Sequence, residues 1–137
     1  MKKLFLDTNI IIDLLAKREP FYKQAAQIFS LADKMKVQLF VSALTFANTN
    51  YILLKKKKPE EAKLILRKLK LIVSIISLDD KIIGLSLNDS DFKDYEDAIQ
   101  YYSAVENGIE LIITRNLKDF QKSKIPALTA EQFLQRM

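Results

Sequence analysis

Residues Met1 to Ile12 read MKKLFLDTNIII. An apolar run, Leu4-Phe5-Leu6, ends on the polar triplet Asp7-Thr8-Asn9, and three isoleucines follow at once with no Gly or Pro between. A short apolar strand passing directly into an apolar helix is the opening unit of an alternating α/β chain. The carboxylate at the junction needs a partner there, and two answers stand open. Asp7 can cap the helix behind it through its side chain, or it can hold a cation at the end of the strand. One role does not exclude the other.

Outward from this unit the alternation continues. Phe21, Tyr22, Ala25, Ile28, Phe29 and Ala32 recur at helical spacing, and Val37, Leu39 and Val41 alternate as a second strand. Thr45 is placed to cap a helix through Leu54. Pro59-Glu60-Glu61 opens another, proline inside the first turn and acids near the positive helix end, with Ala62, Ile65, Leu66 and Leu69 as its buried stripe. A third strand over about 71–76 leads to a helix headed by Asp79-Asp80. A further helix from about Asp94 to Asn107 is stopped by Gly108, and Leu111 to Thr114 form the fourth strand. Ala127-Leu128 read as a fifth, followed by Thr129-Ala130-Glu131-Gln132, a capping box that opens the last helix. Strands separated by helices require right-handed crossovers. The expected fold is therefore an α/β class, three-layer α/β/α sandwich around a mostly parallel sheet of four or five strands, with residues 1–137 forming one domain. Ligands of such sheets bind outside the carboxyl ends of the strands.

Composition narrows the chemistry. The chain of 137 residues is 49% hydrophobic, enough for a real core without disulfides, and it has no Cys. It also has no His. Together these absences exclude zinc-thiolate sites, Ser-His-Asp and Cys-His catalysis and histidine ligation. What remains is carboxylates, amides, hydroxyls, Lys and Arg, the partners of hard, oxygen-preferring cations such as Mg2+ or Mn2+. Two glycines leave no Gly-rich phosphate loop. Lys and Arg number 22 against 17 Asp and Glu, a balance of +5 that favours polyanionic partners such as nucleic acid. The longest apolar run, LIVSIISL at 71–78, is too short to span a bilayer, and Asp7 interrupts the N-terminal run too early for a secretion signal, so a cytoplasmic protein is expected.

Thr114-Arg115-Asn116-Leu117-Lys118-Asp119-Phe120 follow the fourth strand as Asp7 follows the first; if both strands are central and parallel, these polar groups share one edge. Between them, DFKDYEDAIQYY at 91–102 sets Asp94 and Asp97 one turn apart at a helix start. Tyr95, Ala98, Ile99, Tyr102 and Val105 are expected in the core, and Tyr101 towards the acids. LDTNIIIDLL at 6–15, VSALTFAN at 41–48, EDAIQYYSAVENG at 96–108 and LIITRNLKDF at 111–120 together resemble the PIN-domain family, including the VapC-type ribonuclease toxins, over nearly the whole chain and in the family's order.

The resemblance implies a metal-dependent phosphodiesterase, usually acting on RNA, whose acids bind Mg2+ or Mn2+. Asp7 matches the first acid and Asp97 the third. Two positions depart from the pattern: Asn48 stands where the family usually has Glu, and Asn116 where many members have Asp. Members with Asn at the latter place often carry the KDF aspartate, which Asp119 fits. The implied ligands are Asp7, Asp97 and Asp119, with Asn116 in the catalytic set and Asn48, Asp94 and Thr114 as accessories. Asn at 48 keeps a carbonyl donor but removes a negative charge, so one ion should be held better than two, with weak metal affinity or reduced activity. The resemblance further implies the toxin component of a toxin-antitoxin pair, a homodimer, and a small antitoxin protein that covers the acidic pocket. A PIN fold that has lost catalysis and acts as an RNA-binding or protein-interaction module is the alternative, and Asn48 and Asn116 keep it open.

The same residues have plainer readings. Asp97 and Asp94 can be helix-start acids, Asp119 can order its own loop, and Asn48 and Asn116 can be hydrogen-bonding scaffolds. For RNA contact the candidates are Arg115, Lys17 and Arg18; Arg115 sits beside the implied ligands and suits bidentate phosphate binding, or else pairs with a neighbouring acid. The run Lys55 to Lys58 reads either as a phosphate-binding patch or as a solvated helix terminus.

Overall fold

A computed structural model describes residues 1–137 throughout. The strands are β1 (Lys2–Leu6), β2 (Val37–Ser42), β3 (Ser74–Ile76), β4 (Ile112–Ile113) and β5 (Ala127–Leu128). The helices are α1 (Thr8–Leu15), α2 (Tyr22–Asp33), α3 (Ala43–Leu53), α4 (Pro59–Lys70), α5 (Asp80–Leu87), α6 (Tyr95–Glu106) and α7 (Ala130–Gln135), with a 3₁₀ turn at Leu117–Phe120. All five strands are parallel in the order β3-β2-β1-β4-β5. The chain steps outward from β1 through β2 to β3, then returns to the other side of β1 for β4 and β5. That reversal puts the topological switch point between β1 and β4, where an open parallel sheet offers a crevice.

Side-chain alternation along β1 feeds two cores. Leu4 and Leu6 pack with Ile10, Ile11, Ile28, Phe29 and Phe133 on one face, while Phe5 packs with Ile82, Ala98, Ile99, Tyr101 and Phe120 on the other. With both faces covered, β1 and β4 carry consecutive apolar residues, Leu4-Phe5-Leu6 and Leu111-Ile112-Ile113, as buried parallel strands should. No helix is long and apolar enough to cross a membrane.

Four local expectations are corrected. Ser42, not Thr45, caps α3: its hydroxyl accepts from the Thr45 amide at 3.3 Å, and Thr45 is buried three residues inside. The third strand spans only Ser74–Ile76, because Leu71 and Ile72 complete the turn that closes α4. The fourth is confined to Ile112–Ile113. On α6 the buried stripe runs through Ala98, Ile99, Gln100, Tyr101, Ser103 and Ala104, leaving Tyr95 and Val105 exposed. Tyr101, 6% exposed, tilts against Phe92 with ring centroids 4.8 Å apart and has no face for a base, whereas the Tyr102 hydroxyl leaves the core to donate to Asp89.

Candidate active site

The carboxyl ends of β1 and β4 lie side by side, and the polar segments that leave them meet. Asp7, 6% exposed, caps α1, its Oδ1 accepting from the Thr8 amide at 2.9 Å. The same oxygen accepts from Gln100 Nε2 at 3.2 Å, and Oδ2 accepts from the Thr114 hydroxyl at 2.8 Å. Asp7 is therefore a cap and also a carboxylate fixed from three directions, with lone pairs left over. Burial raises its pKa, against the pull of the bonds from Thr114, Gln100 and Thr8, and the charge of Asp119 raises it further.

Gln100 is the residue that sequence reasoning missed. Its Oε1 accepts from the Ser42 hydroxyl at 2.6 Å, and its Nε2 lies 3.2 Å from the Thr8 hydroxyl and 3.3 Å from that of Thr45. One amide thus ties α6 to the ends of β1 and β2. The available signal was its place three residues after Asp97 and four before Ala104, an amide on a buried stripe that must have partners.

Five carboxylates, Asp7, Asp94, Glu96, Asp97 and Asp119, and two amides, Asn48 and Asn116, line one cleft of about 250 Å³ with no Lys or Arg in its walls. Half-buried Asp97 feels the crowding. Burial first, then the charges of Asp94, Asp7, Asp119 and Glu96, push its pKa up to about 7. Asp94 caps α6, accepting from the Glu96 amide at 2.8 Å, so its helix-start role is realised within the cleft. Asn48 donates from Nδ2 to Glu96 Oε1 at 3.1 Å. Thr114 is buried behind Asp7, and its hydroxyl also accepts from the Asn116 amide at 3.0 Å, while Asn116 O accepts from the Asp119 amide at 2.9 Å, shaping the turn that presents Asp119. A neighbouring cleft shares Asp94, Asp97 and Asp119 and is bordered by Lys93, Lys118 and Lys122.

The donor set is all oxygen and strongly negative, which suits a hard divalent cation. No three acids stand close enough together to form a ready-made ligand group, so the fit lies in donor type and charge and not in a finished cage.

The three predicted RNA-contact residues stand apart from these acids. Arg115 does not face the cleft: Nε donates to Asp13 Oδ2 at 2.8 Å, and the guanidinium lies over the Phe21 ring at 4.1 Å. The reason is Asp13, a carboxylate 1% exposed within the apolar α1, which needs a counter-charge more than the solvent edge needs Arg115. Lys17 and Arg18 line a separate groove with Lys55, Lys56 and Lys57, where the far ends of α1 and α3 meet.

The model of the PIN domain matches residues 3–118. The chain belongs to the PIN-domain family. Ribonuclease VapC1 of Aquifex aeolicus (strain VF5) is 32% identical over 138 residues, spanning 98% of this chain and 95% of that protein. Among solved structures, a toxin-antitoxin complex from Klebsiella pneumoniae superposes with a TM-score of 0.70 at 27% identity, covering 93% of this chain and 97% of that one. VapBC-1 from nontypeable Haemophilus influenzae does so at 0.71 and 18% identity, covering 94% and 98%, a likeness of fold. In this PIN-domain chain, Asp7 and Asp97 thus share one cleft with Asp119 and with Asn48 and Asn116, the two positions at which its pattern departs.

Proposed function

We propose that this PIN-domain protein is a divalent-metal-dependent endoribonuclease and the toxin component of a toxin-antitoxin pair. The observation that carries the reading is the charge imbalance of the cleft: five acids from three separate segments, no cation in the walls, and one carboxyl lifted to about 7. The kinship with a ribonuclease VapC and with toxin-antitoxin complexes supports RNA as substrate and an antitoxin protein as partner. Asp7, Asp97 and Asp119 would hold Mg2+ or Mn2+, with Asn116 as a neutral oxygen donor and Asn48, Asp94 and Thr114 as accessories; one ion is favoured over two. Such an ion, when bound, supplies a more acidic water and neutralises charge on the attacking and leaving oxygens.

The chain's own residues prepare the site. Thr114 and Gln100 keep Asp7 in one orientation, and the Asn116 turn presents Asp119 to the same cleft. Lys17 and Arg18, joined by Lys55, Lys56 and Lys57, offer phosphate contacts outside the cleft; Arg115, committed to Asp13, is withdrawn from that role. The active form in this reading is a cytoplasmic homodimer whose acidic cleft the antitoxin covers. The test is cleavage of single-stranded and structured RNA with Mg2+ or Mn2+, which Asp7→Ala and Asp97→Ala should each abolish while circular dichroism stays unchanged.

The engagement of Asn48 with Glu96, together with the lack of a ready-made three-acid group, favours a second reading, a PIN fold that binds RNA or protein without cutting. RNA binding that survives both substitutions, with no cleavage by the parent, would select it.

A further inference from the structure

Asn48, in the second turn of α3, and Glu96, in the first turn of α6, are 48 positions apart in the chain and meet only through the fold. Asn48 Nδ2 donates to Glu96 Oε1 at 3.1 Å at the rim of the acidic cleft, which both residues line. The chemistry of the pair is complementary in one direction only. A carboxylate at position 48 would confront Glu96 as a like charge, whereas an amide has a donor to give it. Glu96 is fixed at both ends: its amide N–H donates to Asp94 Oδ1 at 2.8 Å, and its side chain is drawn towards α3 by Asn48. Its place in the first turn of α6 also favours a negative charge.

We infer that Glu96 brings to the cation site the carboxylate that α3 lacks at position 48, and that Asn48 is the residue that positions it. The inference rests on the proposed reading of the cleft as a divalent-cation site. The acid has moved from one wall to the next, and the amide left behind aims it. On this account Asn48 is no loss of function, and Asn48→Glu alone sets two carboxylates against each other and weakens the site.

Calorimetric titration of the metal-free protein with MnCl2 tests this without reference to cleavage. Glu96→Gln should weaken Mn2+ binding by about tenfold, the lower end of what loss of a supporting group costs a metal site. Asn48→Ala should weaken it by a smaller factor, and the double variant should bind no worse than Glu96→Gln. Glu96→Gln combined with Asn48→Glu should regain most of the lost affinity, because the charge returns from the other wall. The inference is overturned if Glu96→Gln binds Mn2+ as the parent does. It is also overturned if the two single losses multiply in the double variant, which makes Asn48 a ligand in its own right. A parent that shows no saturable Mn2+ binding overturns the cation reading itself and this inference with it; a parent that binds, with Glu96→Gln unaffected, overturns this inference alone.

Discussion

Burial, then the charges of Asp94, Asp7, Asp119 and Glu96, set the Asp97 carboxyl at about 7, whereas an unfolded Asp titrates near 3.9. Between about pH 4 and 7 the folded chain therefore keeps a proton that the unfolded chain has released, and Asp97 costs the metal-free protein stability as pH rises through that window. Asp7 and Asp13 are shifted in the same direction, each chiefly by burial. Asp97→Asn is expected to melt above the parent at pH 8 in EDTA and level with it at pH 4; equal melting temperatures at both would refute the assignment. Because an ion must displace that proton, Mn2+ affinity should rise about tenfold per pH unit up to pH 7 and then level off. Arg115 makes a different prediction. Removing it leaves Asp13 buried without a partner, so Arg115→Ala should cost about 3 kcal/mol at pH 7 in urea unfolding, and the cost should shrink as the pH is lowered, because burial raises the Asp13 carboxyl and loss of the guanidinium raises it further. Mn2+ affinity should not change. The types of residue at the site were legible in the chain, since an absence of His and Cys left only oxygen donors. The direction Arg115 faces was not, because it is dictated by how deeply Asp13 is buried.

The elements themselves were read well where a local rule decides them. The Thr129–Gln132 capping box forms as the spacing requires, with Thr129 accepting from the Gln132 amide at 3.1 Å and Gln132 accepting from the Thr129 amide at 3.0 Å. Where two residues satisfied the same rule, position in the fold chose between them: Ser42 and Thr45 are both good caps, but only Ser42 lies at the end of β2 with an extended backbone. The face of α6 was misjudged for a related reason. Its stripe is a mixture of Ala, Ser, Gln and Tyr, so hydrophobicity alone does not orient it, and the polar bonds of Gln100 do. Gln100→Leu keeps the volume but strips Ser42 of its acceptor and Asp7 of a donor in a buried setting. It should destabilise the fold by about 2–3 kcal/mol in urea. It should also shift the Asp7 carboxyl upward, since a bond that favours the charged form is lost, moving the pH onset of Mn2+ binding higher. A variant as stable as the parent would show that α6 is held by its apolar contacts alone.

At the scale of the whole molecule, two regions sort their charges. The chain carries 22 basic and 17 acidic residues, yet one cleft gathers five acids and no base, and the groove of Lys17, Arg18, Lys55, Lys56 and Lys57 gathers five bases and no acid. The two are joined by α1 and α3, which both begin at the cleft and end at the groove. From Asn48 to Ile52 along α3 is about 6 Å, and from Thr8 to Leu15 along α1 about 10 Å, at 1.5 Å rise per residue. An RNA strand with one phosphodiester over the acids would reach the bases within a few nucleotides, and the acids would repel it unless those bases compensate. Tyr51, 68% exposed on α3 with the Lys55 ammonium 5.4 Å from its ring, adds a flat face on which an unpaired base can stack. Replacing Lys55, Lys56 and Lys57 by Gln should therefore weaken binding of single-stranded RNA and, at about 0.7 per lost phosphate contact, flatten the dependence of log affinity on log salt by roughly 2. Tyr51→Ala should cost about 1–3 kcal/mol of binding to single strands and little to duplex, because only an unpaired base can reach the ring. Cleavage of an oligonucleotide too short to reach the groove should proceed at the parent's rate in both variants. If the triple variant kept the parent's salt slope, the lysines would be no more than solvated helix ends, and the substrate would have to approach the acids from the side of Lys93, Lys118 and Lys122.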